Sequence, residues 1–335
     1  MEASLYAKLE GEKVRCDLCA HRCVIPEGKR GLCGVRENRG GTLYSLVYGR
    51  AVSTHVDPIE KKPLFNFLPG SLAFSVATAG CNMTCLHCQN ADISQSPRVN
   101  GRIMGRDISP RQLVEEAQRQ DCRTIAYTYT EPTIFFDYAL DTARLGADVG
   151  LKNVFVTNGY MTAEALEMIA PVLSAANVDL KSFRDDFYRK ICGARLQPVL
   201  DTIRKMFDLG IWLEVTTLVI PEHNDSDEEL ESIARYVAAI SPEIPWHVSA
   251  FYPTYRLTSV GPTPASTLRR ARKIGQDAGL QYVYTGNIPG DDGENTYCPG
   301  CGKKIVERIG YRVGRVDIRE GKCAFCGSPV AGVWE

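Results

Sequence analysis

Three cysteines, Cys81, Cys85 and Cys88, stand within eight positions in the stretch GCNMTCLHCQN, at spacings of four and three. Thiolates are soft ligands suited to zinc and to iron–sulfur clusters. A closed tetrahedral zinc site needs four donors, so three thiolates suit a centre that keeps one metal position open for another molecule. A [4Fe–4S] cube, normally held by four cysteines, then has one free iron. The alternative is a zinc knuckle completed by His87. It would ask two adjacent residues, His87 and Cys88, to bind one tetrahedral ion together, which is poor geometry.

Two further cysteine sets flank this triplet. The stretch CDLCAHRCVIPEGKRGLCG holds Cys16, Cys19, Cys23 and Cys33 at spacings of three, four and ten. That pattern serves either a four-cysteine zinc site or an auxiliary iron–sulfur cluster for electron relay, with His21 read as a solvent-exposed residue. At the other end, Cys298 and Cys301 are separated by 21 residues from Cys323 and Cys326, a zinc-ribbon pattern. Zinc in a structural role is the reading preferred to a rubredoxin-like iron, because a module of roughly 40 residues cannot bury enough core to fold alone. Gly302 and Gly327, next to the knuckles, are expected to leave backbone N–H groups free to point at the sulfurs. Cys122 and Cys192 stand alone and read as small buried hydrophobes.

Thirteen cysteines without a secretory signal pattern argue for metal binding in a reducing cytoplasm rather than a disulfide framework. A formal net charge of −1 builds in no long-range attraction to nucleic acid or anionic membrane. The densest basic run, Arg269 to Lys273, reads as a solvated helix face. No stretch approaches the roughly 18 apolar residues of a membrane span.

The elements that must position these groups are short β-branched runs alternating with longer amphipathic ones. The predicted strands are LAFSVAT (72–78), TIAYTYT (124–130), NVFVTNG (153–159), NVDLKS (177–182), WLEVTTLVI (212–220) and WHVSAFY (246–252), with YVYTGNI (282–288) as a seventh. Between them, 109–120 and 226–240 read as helices, opened by Ser109–Pro110 and by Ser226 ahead of three acidic residues. This rhythm predicts parallel pairing and an α/β fold, a partial (β/α)6-type barrel with small metal-binding appendages at both ends. Chemistry then gathers at the C-terminal ends of the strands. Thr130, Glu131, Asn158, Asp179, Lys181, Thr216 and Thr217 lie there, and the triplet follows the first strand. His247 sits at the opposite end and reads as structural, and Glu214 as facing the barrel interior. The expected organisation is a Cys-rich segment (1–70), a barrel (71–290) and a zinc-ribbon-like module (291–335).

A C-x3-C-x2-C spacing after the first strand of a βα barrel resembles the radical S-adenosylmethionine (SAM) superfamily. The resemblance implies that Cys81, Cys85 and Cys88 hold a [4Fe–4S] cluster whose open iron is chelated by the methionine part of SAM. One electron then breaks the sulfonium C–S bond, giving a 5′-deoxyadenosyl radical that abstracts hydrogen from a substrate. CLHCQN and the DLK of Asp179 to Lys181 resemble the activating enzymes of glycyl radical enzymes, such as that of pyruvate formate-lyase. By this resemblance His87 lies against the adenine and Glu131 accepts from the methionine ammonium. Thr130, Asn158, Asp179, Lys181 and Thr216 complete the SAM contacts. The sequence also departs from that pattern. Tyr129 and Thr130 replace a glycine pair before Glu131, and Val156 replaces an aspartate.

Over nearly its whole length the chain resembles the radical SAM component of the AmmeMemoRadiSam system. The motifs are CDLCAHRCVIPEGKRGLCGVR, YTYTEPTIFFDYA, GARLQPVLDTI, WHVSAFYPTYR and CPGCG. This implies association with AMMECR1-like and Memo-like proteins. A one-electron donor of the flavodoxin or ferredoxin type is the other expected partner, with no membrane expected and nucleic acid a disfavoured but open alternative. The substrate stays open between a protein activated by hydrogen abstraction and a small molecule or RNA. A non-catalytic, zinc-dependent scaffold is the remaining alternative.

Overall fold

In the computed structural model, which describes all 335 residues, each of the seven predicted apolar runs forms a strand. An antiparallel strand that the sequence reading did not single out, β1 (Ser53–Pro58), precedes them. The parallel strands are β2 (Leu72–Ala77), β3 (Thr124–Tyr127), β4 (Lys152–Thr157), β5 (Ala175–Asp179), β6 (Trp212–Val219), β7 (Trp246–Ala250) and β8 (Val283–Gly286). They neighbour one another in sequence order, with β1 beyond β2 at one edge and β8 at the other. The connecting helices are α1 (Pro110–Arg119), α2 (Phe136–Asp148), α3 (Ala163–Ile169), α4 (Gln197–Asp208), α5 (Asp227–Ile240) and α6 (Ala265–Asp277). Ser109 caps α1 by accepting from Gln112 N, and Ser226 caps α5 by accepting from Glu229 N, the local chemistry their sequences carry. The sheet therefore begins at Ser53, inside the stretch assigned on sequence to the N-terminal segment.

Alternation along the strands divides the core in two. Phe74, Val76, Tyr127, Phe155 and Val178 pack outward against the helices in the main core. Ala73, Ala126, Val154 and Ala175 point inward and meet Leu64, Phe67 and Leu68. The segment after β1 thus passes under the sheet and floors the barrel. Its backbone polar groups need partners there, and Glu214 supplies them. The Glu214 carboxylate is buried and accepts from Phe65 N (3.0 Å), Asn66 N (2.8 Å) and Trp212 Nε1 (3.1 Å), and meets His247 Nε2 at 2.6 Å. The expected interior position of Glu214 and structural position of His247 are what this contact shows.

With seven parallel strands and one antiparallel edge the barrel does not close. The C-terminal module, with β9 (Lys304–Ile309) and β10 (Arg312–Val316), packs on the open side. Phe65, Tyr282, Tyr284, Cys298, Ile305, Cys323 and Val330 share one small core. Arg308, buried, donates to Phe65 O (2.7 Å) and Thr296 Oγ1 (2.8 Å) and lies over the Phe65 ring. The basic run in α6 is neutralised: Arg269 pairs with Asp291, Arg270 with Asp227 and Lys273 with Asp277. No helix is long and apolar enough to cross a membrane.

Replacing Glu214 by Ala leaves two floor N–H groups and the Trp212 indole unpaired. The expected loss is about 3–5 kcal/mol, typical of breaking a buried charged network. It is measured as a lower denaturant midpoint.

Candidate active site at the mouth of the barrel

The loop after β2 carries the triplet, and little of its shape is its own. Gly80 turns the chain at a φ of +109°, and a Cβ there would lie 2.8 Å from Val35 Cγ1. Glycine is thus required both for the turn and for the close approach of the N-terminal segment. From the opposite side, Thr84 N donates to Cys192 O (2.8 Å) and Leu86 N to Ile191 O (2.9 Å). Gly193 follows at φ +67°, where a Cβ would overlap Thr84 Oγ1. Arg98, just downstream, holds the loop to the N-terminal segment, with Nε donating to Leu32 O (2.7 Å) and Nη2 to Cys81 O (3.2 Å).

Glu131 is buried, and its carboxylate is taken up within the protein. Oε1 accepts from Thr133 N (3.1 Å), Thr133 Oγ1 (2.6 Å) and Thr157 Oγ1 (2.6 Å), and Oε2 accepts from Asn158 N (2.8 Å). Burial raises its pKa, and these donors pull it back. Oε2 accepts the Asn158 bond alone and keeps capacity for a further donor. Glu131 ties the end of β3 to the end of β4. Asn158 carries the tie onward, its Nδ2 donating to Asn82 Oδ1 (2.7 Å) and approaching Cys81 Sγ (3.7 Å). Thr130 is likewise engaged, donating to Thr78 O at 2.8 Å. Glu131, Asn158 and Thr130 thus help to position the loop.

Across the mouth lie groups with capacity to spare. Asp179 and Thr216 are register partners on β5 and β6. Asp179 Oδ2 pairs with Lys181 Nζ at 2.7 Å, and the Asp179 side chain is still 36% exposed. Lys181 is held charged by Asp179 and by the nearby Cys85, despite its burial. Thr78 Oγ1, Thr216 Oγ1 and His87 Nδ1 are buried without any hydrogen-bond partner. Burial, then the Lys181 charge, push His87 down to about 3, so its ring is neutral. Cys192, expected to be an inert hydrophobe, lies against Cys85. Its side chain and the Lys181 charge bring the Cys85 thiol down to about 7. Nothing in the local sequence around Cys192 signals this contact.

Tyr129 stands where the activators have glycine, and it adopts the left-handed backbone glycine would take, at φ +62°. A bulky residue there costs roughly 1–3 kcal/mol. The side chain recovers it: the Tyr129 hydroxyl donates to Asp57 and Lys62 Nζ sits 4.5 Å from the ring centroid. Asp57 also accepts from Ser75 Oγ (2.8 Å) and pairs with Lys62 Nζ (2.8 Å). The Tyr129 carbonyl accepts from Asn90 Nδ2 at 2.7 Å, so this strained residue pins the end of the triplet loop.

A lateral cleft of about 640 Å³ reaches the loop at Gln89. Ser249, Tyr252, Asn287, Ile309 and Tyr311 are among its walls, so the C-terminal module forms part of it. In that module Cys298 Sγ and Cys326 Sγ are 3.6 Å apart and Cys301 Sγ and Cys323 Sγ 3.9 Å. All four sulfurs lie within 4.8 Å of one another. The N–H groups of Gly302 and Gly327 donate to the carbonyls of Cys298 and Cys323, not to sulfur as expected. The N–H groups that reach sulfur belong to Gly300, Cys301 and Ser328. His21 is not solvent-exposed as expected. Its Nε2 meets Asn82 O at 2.8 Å and its ring lies against Tyr160.

Asp57 is opposed by burial, but the hydrogen bonds from Lys61, Lys62 and Tyr129 hold its carboxyl well below the usual range. Its folded pKa is lower than its unfolded one, so its stabilisation is complete above about pH 4 and is lost as pH falls below that. Asp57→Ala is expected to cost about 3–5 kcal/mol at pH 7 and to flatten the acid limb of a denaturation series. An unchanged acid limb would remove this assignment.

Comparison with known proteins follows the same lines. The model of the Radical SAM superfamily matches residues 75–237. Uncharacterized protein MJ0808 of Methanocaldococcus jannaschii is 46% identical over 332 residues, covering 98% of each chain. The pyruvate formate-lyase-activating enzyme of Streptococcus mutans is 23% identical over 225 residues, 62% of this chain and 85% of that one. Among solved structures, a radical SAM methyltransferase from Sphaerobacter thermophilus aligns with a TM-score of 0.52 at 15% identity, over 68% of this chain and 71% of that one. Streptococcus suis SuiB bound to S-adenosylmethionine aligns at 0.51 and 14%, over 68% and 52%. Fold, triplet and family agree: the chain belongs to the radical SAM superfamily and within it resembles the pyruvate formate-lyase-activating enzymes.

Proposed function

We propose that the chain cleaves SAM reductively at a [4Fe–4S] cluster held by Cys81, Cys85 and Cys88, and abstracts hydrogen from a substrate in the lateral cleft. The observation that carries this reading is the mouth itself. Three thiols on an immobilised loop stand at the end of the sheet that also carries buried polar atoms with no partner, Thr78 Oγ1 and Thr216 Oγ1, with His87 Nδ1 in the loop itself. Unpaired buried polar groups are costly in a protein without a ligand to meet them. The residues fit the group the family implies: three thiols for three irons, and a charged pair, Asp179 and Lys181, for an amino-acid zwitterion. When bound, the cluster and SAM supply one-electron cleavage of a C–S bond and a carbon radical that takes hydrogen from the substrate.

The chain's own contribution is orientation and exclusion of water. Asp179 offers its exposed carboxylate edge to an ammonium, and Lys181 its ammonium to a carboxylate. Neutral His87 presents a flat uncharged ring suited to a base. The Lys181 charge favours the thiolate of Cys85 without ligating it. A polypeptide is the substrate class we favour, as for the activating enzymes. The cleft is open along one side and exposes Tyr252, Ile309 and Tyr311, large apolar groups suited to a protein surface.

The C-terminal quartet is proposed to hold zinc. A Zn–S bond of about 2.3 Å makes a tetrahedral edge of roughly 3.8 Å, and the Cys298–Cys326 and Cys301–Cys323 sulfur separations, 3.6 and 3.9 Å, bracket it. Zinc there secures the module that walls the cleft.

Anaerobically reconstituted protein, reduced with dithionite and given SAM, is expected to release 5′-deoxyadenosine. Joint replacement of Cys81, Cys85 and Cys88 by Ala is expected to abolish release. An intact, iron-loaded protein that releases none would overturn the reading. Lys181→Met should weaken SAM binding about 10- to 100-fold, the worth of one charge-assisted hydrogen bond, seen by titration calorimetry. Cys298→Ser with Cys301→Ser should lose about one zinc per chain and lower the melting temperature while the iron content holds. Zinc unchanged in that variant would place the metal elsewhere.

A further inference from the structure

Two side chains outside the triplet carry polar hydrogens within reach of its sulfurs. Asn158 Nδ2 lies 3.7 Å from Cys81 Sγ, and Ser94 Oγ lies 3.2 Å from Cys88 Sγ. Sulfur is larger than oxygen, so both separations are hydrogen-bond distances. Asn158 stands just past β4, and Ser94 closes the single helical turn Ala91–Ser94 that follows the triplet. Both residues are buried. A backbone group adds to them, Met83 N donating to Cys81 Sγ at 3.4 Å. The third thiol, Cys85, has the Lys181 charge nearby instead.

Neither donor is free to turn away, because a neighbouring amide fixes each one. The Asn158 amide oxygen accepts from Tyr160 N (3.0 Å), and its nitrogen donates to Asn82 Oδ1 (2.7 Å). Asn82 is fixed in turn by donating from Nδ2 to Tyr160 O (3.3 Å). A flipped Asn158 would set its oxygen against the Asn82 oxygen and its nitrogen against the Tyr160 N–H. The network therefore assigns both amides, and the second hydrogen on Asn158 Nδ2 is left for Cys81 Sγ. At the other sulfur, Ser94 Oγ accepts from Gln95 Nε2 (3.1 Å), and the same nitrogen donates to Met83 O (3.2 Å). A metal-bound cysteine is a thiolate with no hydrogen to give. The hydrogen between Ser94 and Cys88 is then the hydroxyl's own.

Glu131 makes such donors useful. Its buried carboxylate accepts from the backbone N–H of the same Asn158, so a negative charge lies close to Cys81 and opposes the arrival of an electron there. An electron added to an iron–sulfur cluster spreads in part onto the ligand sulfurs, and N–H or O–H groups aimed at those sulfurs favour it. We infer that Asn158 and Ser94 raise the reduction potential of the triplet's cluster by donating hydrogen bonds to the thiolates of Cys81 and Cys88. The amides of Asn82 and Gln95 are the positioning residues that hold them to it. No bond is made or broken; the hydrogen bonds move the point at which the one-electron equilibrium lies. The inference rests on the cluster of the proposed function and is independent of what the substrate is.

The test uses full-length protein reconstituted anaerobically and titrated with dithionite and redox mediators before any SAM is added. The EPR signal followed is the one lost when Cys81, Cys85 and Cys88 are all changed to Ala. At a fixed potential, Ser94→Ala and Asn158→Leu are each expected to lower the ratio of reduced to oxidised protein about tenfold, which is about 59 mV for a one-electron couple. Ser94→Thr keeps the hydroxyl and should restore the original ratio, and iron per chain should match the unsubstituted protein throughout. After exchange into deuterium oxide, electron–nuclear double resonance should show exchangeable hydrogens coupled to the reduced cluster, one of them missing in Ser94→Ala. If Asn158→Leu does not fold, the Ser94 variants and the resonance spectrum of the unsubstituted chain decide. Unmoved ratios in iron-loaded variants overturn the inference, as does a Ser94→Thr protein no easier to reduce than Ser94→Ala. SAM is added last. Ratios that fall as expected in a protein that never cleaves it sink the proposed function and leave the donors standing, whereas cleavage with unmoved ratios does the reverse.

Discussion

The carboxylate of Glu131 is the interaction on which the mouth of this barrel depends. A buried charge must be met by hydrogen bonds or the group will neutralise. Glu131 is met by four donors from two strand ends, so β3 and β4 cannot separate at their C-terminal ends without stranding it. Asn158, whose N–H is one of the four, passes the constraint through Asn82 to Cys81. The loop that carries three thiols is thereby referenced to the sheet through charge-assisted bonds, not through its own turn propensities. A residue that looks ligand-facing in sequence is worth more to the site as the fixed point from which the ligands are hung.

The strained tyrosine belongs to the same logic. Where a glycine would take a left-handed backbone freely, Tyr129 takes it at a cost that its hydroxyl and ring offset on Asp57 and Lys62. That pair comes from β1 and the segment that floors the barrel. The antiparallel edge strand therefore supports the triplet loop from behind, and the floor and the mouth are mechanically one piece. Glu214 anchors the same segment from below. Two buried carboxylates, each meeting several groups within the protein, brace the two ends of the barrel.

Three sets of cysteines in one chain show three geometries. The C-terminal sulfurs converge to the contact expected around one ion. The N-terminal sulfurs line a small cavity together with Arg36 and Asn82, and the triplet stands at the sheet end where Thr78 Oγ1 and Thr216 Oγ1 are left without partners. Thiol chemistry is the same in all three, so the difference lies in how far the backbone holds the ligands apart and in what the rest of the shell supplies.

Much of this was legible before any coordinates. Alternating β-branched and amphipathic runs required parallel strands with helical crossovers. Ser109 and Ser226 announced two helix starts, and the C-x3-C-x2-C and paired C-x2-C spacings marked the metal-binding stretches, because capping and ligand spacing are local properties of the chain. What needed the tertiary structure was everything set by long-range contact. Strand parity could not say that Glu214 and Thr216 point inward, since a period of two is the same on either face. β1 and the floor carry no periodic signal and take their place only against strands from elsewhere in the chain. The assignment of Glu131 as a brace and of Arg36 as the buried partner of Asp137 depends on partners 26 to 101 positions away. Sequence determined which residues could bind metal; only the fold decided which sulfurs converge, because convergence depends on contacts between distant parts of the chain.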